Sequence, residues 1–299
     1  MAKNKVLLVL EIVLLLVFIS SLVSCGGSGS SSTATPAATA SQRLDTGPPG
    51  LPLYCAGFLT HDQQGNIYVG DTDQGQQNSH RARIVKLSPT GQLLGEWHVF
   101  TAFHGFPSGP WGIAVDASGT IYVADAGDNT IKKLSPNGTL LATWGKTGSA
   151  PGELNFPYGV AVDGQGNVYV ADLNNSRIQK FSSTGTLLAV FGNTGSSTER
   201  LRTPTGIDID AQGNVYVSDV RNHRVMKFSP EDTFLVTWSG AGSKQFSSAK
   251  VLTLDQAGNV YVADSRNFRI VKLSPTGKVL AIWPVAGAVP PFGITVDPQ

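Results

Sequence analysis

An aspartate and an arginine recur five residues apart at Asp172 and Arg177, Asp219 and Arg224, and Asp264 and Arg269, and at first sight they form a carboxylate constellation. Recurrence argues against catalysis, because catalytic residues are usually unique. A repeated Asp can accept backbone N–H bonds within its loop while the Arg pairs with it or with a neighbouring unit. The five histidines, His61, His80, His98, His104 and His223, stand at different positions relative to this pattern. A metal site shared between units would need ligands from equivalent positions, and these do not supply them. His61 is unusual in replacing an apolar residue, Val115, Val162 or Ile209 in the other copies, and a packed structural histidine accounts for it. Trp97, Trp144, Phe191, Trp238 and Trp283 share one place in successive units, which marks them as packing residues rather than a ligand cage. No Gly-rich phosphate loop, Ser-His-Asp order or metal-spaced Cys/His set appears, so the sequence calls for no catalytic residue, metal or cofactor.

The elements that carry these residues repeat. Measured between Asp71, Asp125, Asp172, Asp219 and Asp264, the period is 54, 47, 47 and 45 residues, and the first spacing is long because residues 72–82 carry an insertion. Each unit holds four short apolar runs rich in β-branched residues. The first turn is Gly-Asn or Gly-Thr, as in Gly166-Asn167 and Gly119-Thr120, residues that tolerate positive φ. The third turn follows Ser88, Ser135, Ser182, Ser229 and Ser274, and only the copy at Ser229-Pro230-Glu231-Asp232 lacks its Gly. A four-stranded sheet of this size cannot bury both faces alone. Radial stacking of such sheets predicts an all-β fold, a β-propeller of four-stranded antiparallel blades.

The strings Pro157-Tyr158-Gly159-Val160-Ala161-Val162-Asp163, Gly166-Asn167-Val168-Tyr169-Val170-Ala171-Asp172 and Asn175-Ser176-Arg177-Ile178-Gln179-Lys180-Phe181 resemble the NHL-repeat family. The resemblance covers residues 52–299, with repeats at about 52–108, 109–156, 157–203, 204–248 and 249–290 and a partial one at 291–299. It implies a propeller fold and leaves function open, since that family spans binding modules, sensor domains and lyases. The first copy has Ala56-Gly57-Phe58 and the fifth Ala249-Lys250-Val251 where the others open Pro-x-Gly, and the second copy has Thr130 in place of the loop Arg. Propellers of this kind commonly close with six blades, so five full repeats and one strand predict a six-blade type, truncated or open, in preference to a closed five-blade ring.

Residues 1–24 have the layout of a secretory signal: Lys3 and Lys5, an apolar run over 6–19 broken only by Glu11, then Leu22-Val23-Ser24-Cys25, which resembles the bacterial lipobox. Cleavage would leave Cys25 lipidated, and residues 25–50, rich in Gly, Ser, Thr, Ala and Pro, would tether the propeller domain, residues 51–299. The expected location is the bacterial cell envelope, lipid-anchored on the extracytoplasmic side of a membrane. Without residues 1–24 the chain holds 20 basic and 20 acidic residues, a balance that argues against a nucleic-acid partner. Cys55 is then the remaining cysteine, and no disulfide framework exists.

In an antiparallel meander the loops after the second strands share one rim with the connections between units, opposite the tight turns. Long loops on a rigid scaffold are where binding usually resides. That rim is expected to carry His80 and Arg81 in the insertion, Trp111, Tyr158, Thr205, Lys250 and Phe292 at its mouth, and Arg177, Arg224 and Arg269. The sequence therefore reads as a binding scaffold for a protein, peptide or glycan. A metal-dependent lyase or lactonase-type enzyme is the alternative, with His61, Thr60, Asp208, Thr253 and Thr295 as the polar breaks in the inner strands. Replacing Trp111, Tyr158 and Arg224 is expected to weaken binding and leave the fold near native.

Overall fold

The computed structural model describes residues 56–72, 82–100, 109–241, 244–285, 291 and 293–296. Cys25, the segments around it, His80, Arg81 and Phe292 lie outside these residues.

Twenty strands form five four-stranded antiparallel sheets, each pairing its strands in chain order. In the third blade they are Pro157–Val162, Val168–Asp172, Arg177–Phe181 and Leu187–Phe191. The innermost strands of the five blades are Ala56–His61, Pro110–Val115, Pro157–Val162, Pro204–Ile209 and Ala249–Leu254. The second strands, of the Val/Ile-Tyr-Val type, are buried on both faces because each sheet packs against neighbours on either side.

Local chemistry explains why the repeat folds this way. The Asp that precedes each first turn (Asp62, Asp116, Asp163, Asp210, Asp255) accepts an N–H from the residue four further on, at 2.8–2.9 Å. It also accepts the phenol of the blade's buried tyrosine, Tyr68, Tyr122, Tyr169, Tyr216 or Tyr261. A third-strand lysine lies over that same ring in every blade, at 4.7–5.6 Å from its centroid.

Inner strands approach one another closely enough to need glycine. A Cβ on Gly112 would stand 2.4 Å from the Tyr158 carbonyl oxygen, and one on Gly159 would stand 2.2 Å from that of Thr205. Phe58 and Val251 hold that place in the first and fifth blades, where the sequence departs from Pro-x-Gly.

Five blades stand in the ring, so the expected six-blade, truncated or open form is corrected. The reason lies in Pro291 and residues 293–296, which stand between the fifth and first blades. Ser265 Oγ donates to the Pro291 carbonyl at 2.6 Å, and His61 Nδ1 lies 2.7 Å from Thr295 Oγ1. Gly293 backs onto the Gly57 carbonyl, while Ile294 and Val296 are buried with Tyr261, Ala263 and Phe58. One short segment thus lies between the fifth and first blades, where the expected form left an incomplete sixth blade. His61 is half-buried and makes this contact from the cavity wall.

Candidate functional site

Trp111, Tyr158 and Lys250 occupy the same second position of three different inner strands, and the ring brings them to one mouth. They line an open pocket of about 580 Å³ on the long-loop rim together with Leu173, Thr205, Arg266 and Phe268. Three of the lining side chains, Trp111, Tyr158 and Phe268, are aromatic; the Trp111 and Tyr158 ring centroids are 5.1 Å apart, and Phe156, beside the pocket, lies 5.5 Å from Trp111. Phe58 meets Tyr158 edge-on at 5.1 Å from the axial side.

Tyr158 differs from the exposed rim residue expected of it. It is buried, and burial pushes its phenol pKa up. Truncating it would open a cavity in the aromatic cluster, at a cost of about 3–5 kcal/mol, so the fold would not stay near native. Trp111 is half-buried and Phe268 exposed, which leaves the apolar wall open to a ligand. Burial lowers the Lys250 ammonium to about 8. Thr205 donates its hydroxyl to the Lys250 backbone carbonyl at 2.6 Å, tying the fourth and fifth inner strands together at the mouth.

The three arginines assigned to the rim serve the scaffold instead. Arg177 Nε donates to Asp172 at 2.7 Å, and its other nitrogens reach the carbonyls of Ser149, Ala150 and Glu153. Arg224 pairs with Asp219 at 3.0 Å and reaches the carbonyls of Thr198 and Arg200. Arg269 pairs with Asp264 at 2.7 Å and donates to the Gln245 carbonyl. Each guanidinium therefore fastens the connection between two blades to a fully buried carboxylate. The Asp also accepts loop N–H groups directly, Asn155 on Asp172 and Thr203 on Asp219. The second blade, which lacks the Arg, compensates with Lys132, whose ammonium reaches Asp125 at 2.7 Å. His223 holds the left-handed position that ends a 3₁₀ turn and has no place at the mouth.

Sequence reasoning missed Phe156, Leu173, Arg266 and Phe268. The last three fall at the variable places of the Asp-x-x-Asn-x-Arg loop, where the copies read Leu173, Asn174, Ser176 against Ser265, Arg266, Phe268. Variation between copies at fixed scaffold positions was the available signal. The fourth-strand aromatics are packing, as expected: each faces its blade's tyrosine, with centroids 5.8–6.5 Å apart. Among the described residues no three His, Cys, Asp or Glu side chains come together as a metal site.

Comparison with known proteins agrees with this architecture. The NHL repeat model matches residues 108–134, 154–181 and 201–228. No curated protein matches the chain. Among solved structures, a streptogramin B lyase is similar at 17% identity, TM-score 0.57, over 78% of this chain and 70% of that one. A catalytically inactive virginiamycin B lyase from Staphylococcus aureus, with quinupristin, is similar at 12% identity, TM-score 0.56, over 78% and 71%. A protein of unknown function from Bacteroides caccae is similar at 16% identity, TM-score 0.60, over 82% and 87%. At such identities the likeness is one of fold.

Proposed function

We propose that this NHL-repeat β-propeller is an envelope-anchored recognition module that binds a protein or peptide at its long-loop rim. The observation that carries the reading is the convergence of Trp111, Tyr158 and Lys250, from three blades, on one open pocket. Aromatic anchors beside cations suit an apolar side chain flanked by a carboxylate, with Lys250 and the exposed Arg266 as the cations. A glycan is the other ligand class such an aromatic wall could take.

In this reading residues 1–24 are a cleaved signal, Cys25 carries the lipid, and residues 25–50 let the propeller face away from the membrane. Mass spectrometry of the mature N-terminus tests the anchor: a lipidated Cys25 is expected, and an intact Met1 would refute it. For the rim, a photo-crosslinker at position 111 in cells is expected to trap a partner that Lys250→Ala loses and Lys278→Ala, on the turn side, keeps. Equal loss from both substitutions would place the binding surface elsewhere.

Lyase or lactonase-type chemistry, the alternative, would use a metal with a His or carboxylate near the axis. His61 and Asp208 are the axial candidates, and they lie at the opposite end of the channel from the rim pocket. Tightly bound stoichiometric metal that is lost in Asp208→Ala or His61→Ala would overturn the binding-module reading.

A further inference from the structure

At its tight-turn end the axial channel widens into a cavity of about 720 Å³. The aromatic contact between Phe58, which lines this cavity, and Tyr158, which lines the rim pocket, separates the two spaces. The fifth residue of each inner strand sets the cavity's character: Thr60, Ala114, Ala161, Asp208 and Thr253, with Thr295 of the closing segment completing the circle. Two neighbouring blades are therefore apolar there, and the rest of the circle is polar.

Asp208 is the anomaly. Its Oδ1 accepts the Ile209 N–H, and its Oδ2 accepts the Leu254 N–H and the Thr253 hydroxyl, at 2.8, 2.8 and 3.2 Å. A carboxylate offers about four acceptor sites, so one remains. No Lys, Arg or His among the described residues pairs with it or acts on its charge. Asp208 is half-buried at the cavity wall, where a carboxylate without a counter-charge loses part of its hydration, and Ala or Thr serves at every equivalent place. The fold does not require Asp208. A ligand cation would supply the missing charge. A metal ion is the poorer fit, because hard cations gather several oxygen ligands and no second acidic side chain joins Asp208 in a three-member metal group among the described residues.

The volume suits a small molecule, and the half-polar, half-apolar circle suits a ring with a hydroxylated edge and a C–H face. We propose that this cavity is a second binding site, for a small cationic polyol of aminosugar type, its ammonium against Asp208, its hydroxyls toward Thr253, Thr295 and His61, and its apolar face toward Ala114 and Ala161.

Saturation-transfer NMR on the full-length protein in detergent, with glucosamine as probe and glucose as its uncharged counterpart, tests this. Glucosamine is expected to bind at least about tenfold more tightly than glucose. The preference should vanish in Asp208→Ala and in Asp208→Thr, both of which install residues that other blades carry at this place. Trp111→Ala, a rim substitution, should leave it intact, so failure here is distinct from failure of the rim reading. Absence of glucosamine binding, equal binding of glucose, or unchanged glucosamine binding by folded Asp208→Ala would each overturn the proposal and leave Asp208 as a strut between the fourth and fifth blades.

Discussion

Two aspartates of the fourth blade do opposite things for stability. Asp219 is fully buried, and Arg224 both neutralises it and holds two carbonyls of the preceding connection. Arg224→Ala should therefore destabilise by about 3–5 kcal/mol in urea unfolding, the usual cost of stranding a buried charge. Arg224→Lys should recover part of it, as Lys132 does for Asp125. Asp208 has no such partner, and burial, the largest influence on it, raises its carboxyl from 3.8 to about 6. A group whose folded pKa is raised contributes its stability fully below the unfolded value and loses it as pH rises through the folded one. Relative to Asp208→Ala, the wild type should lose roughly 1–3 kcal/mol between about pH 4 and pH 7. His61, Asp210, Lys227 and Asp255 line the same cavity and are present in both proteins, and the Asp210 carboxylate adds to the rise at Asp208. Parallel stability curves would show that its carboxyl titrates normally. At the rim, burial lowers Lys250 to about 8, so affinity for an acidic partner should fall as pH rises from 7 to 9; a flat profile would leave Arg266 as the cation that matters.

Between elements, the blades are locked by an aromatic on one and a turn on the next. A Cβ on Gly138 would stand within van der Waals overlap of the Trp97 indole, one on Gly185 would lie 2.8 Å from Trp144, and one on Gly277 would lie 2.1 Å from Trp238 Nε1. The third blade has Phe191 in place of Trp, and the turn that follows on the fourth blade has Asp232 in place of Gly, with φ +64. The smaller ring is what admits a side chain there. Phe191→Trp alone should overpack the junction and cost about 1–3 kcal/mol. With Asp232→Gly the loss should be recovered, because that change removes both the side chain and a buried Oδ1 without a hydrogen-bond partner. Additive effects in the double-mutant cycle would refute the lock. Both departures are visible in the sequence, but their dependence is not, because they sit in different repeat copies 41 residues apart. The same limit explains the rim. Repeat spacing places strands within a residue or two, since turn chemistry and period two are local; Val168–Asp172 and Leu187–Phe191 fall where the pattern predicts. That Arg177 turns inward to Ser149 and Glu153, or that Phe156 joins Trp111, depends on how one unit folds over its neighbour. That information lies in the packing between units.

For the whole molecule the question is how five blades make a ring. Counting repeats predicts a missing sixth blade, but counting treats every angular place as needing a full sheet. Among the described residues, Pro291 and residues 293–296 stand at that place as an innermost segment, sealed by the aliphatic contacts of Ile294 and Val296 and by the His61–Thr295 hydrogen bond. The first blade is adapted to receive it, His61 replacing the aliphatic residue found in other blades, while Gly293 meets the Gly57 carbonyl as Gly112 and Gly159 meet those of Tyr158 and Thr205. Burying an aliphatic side chain contributes about 1.5–3 kcal/mol, so this short contact carries a sizeable share of a domain's net stability. Ile294→Asp should lower stability by at least about 3 kcal/mol and separate the unfolding of the first and fifth blades from that of the middle three. Hydrogen exchange reads this directly: amides of Ile67–Asp71 and Val260–Asp264 should lose protection while those of Val168–Asp172 keep it. Uniform loss across all five second strands would mean that the ring unfolds as one unit and that the segment adds stability without acting as its closure.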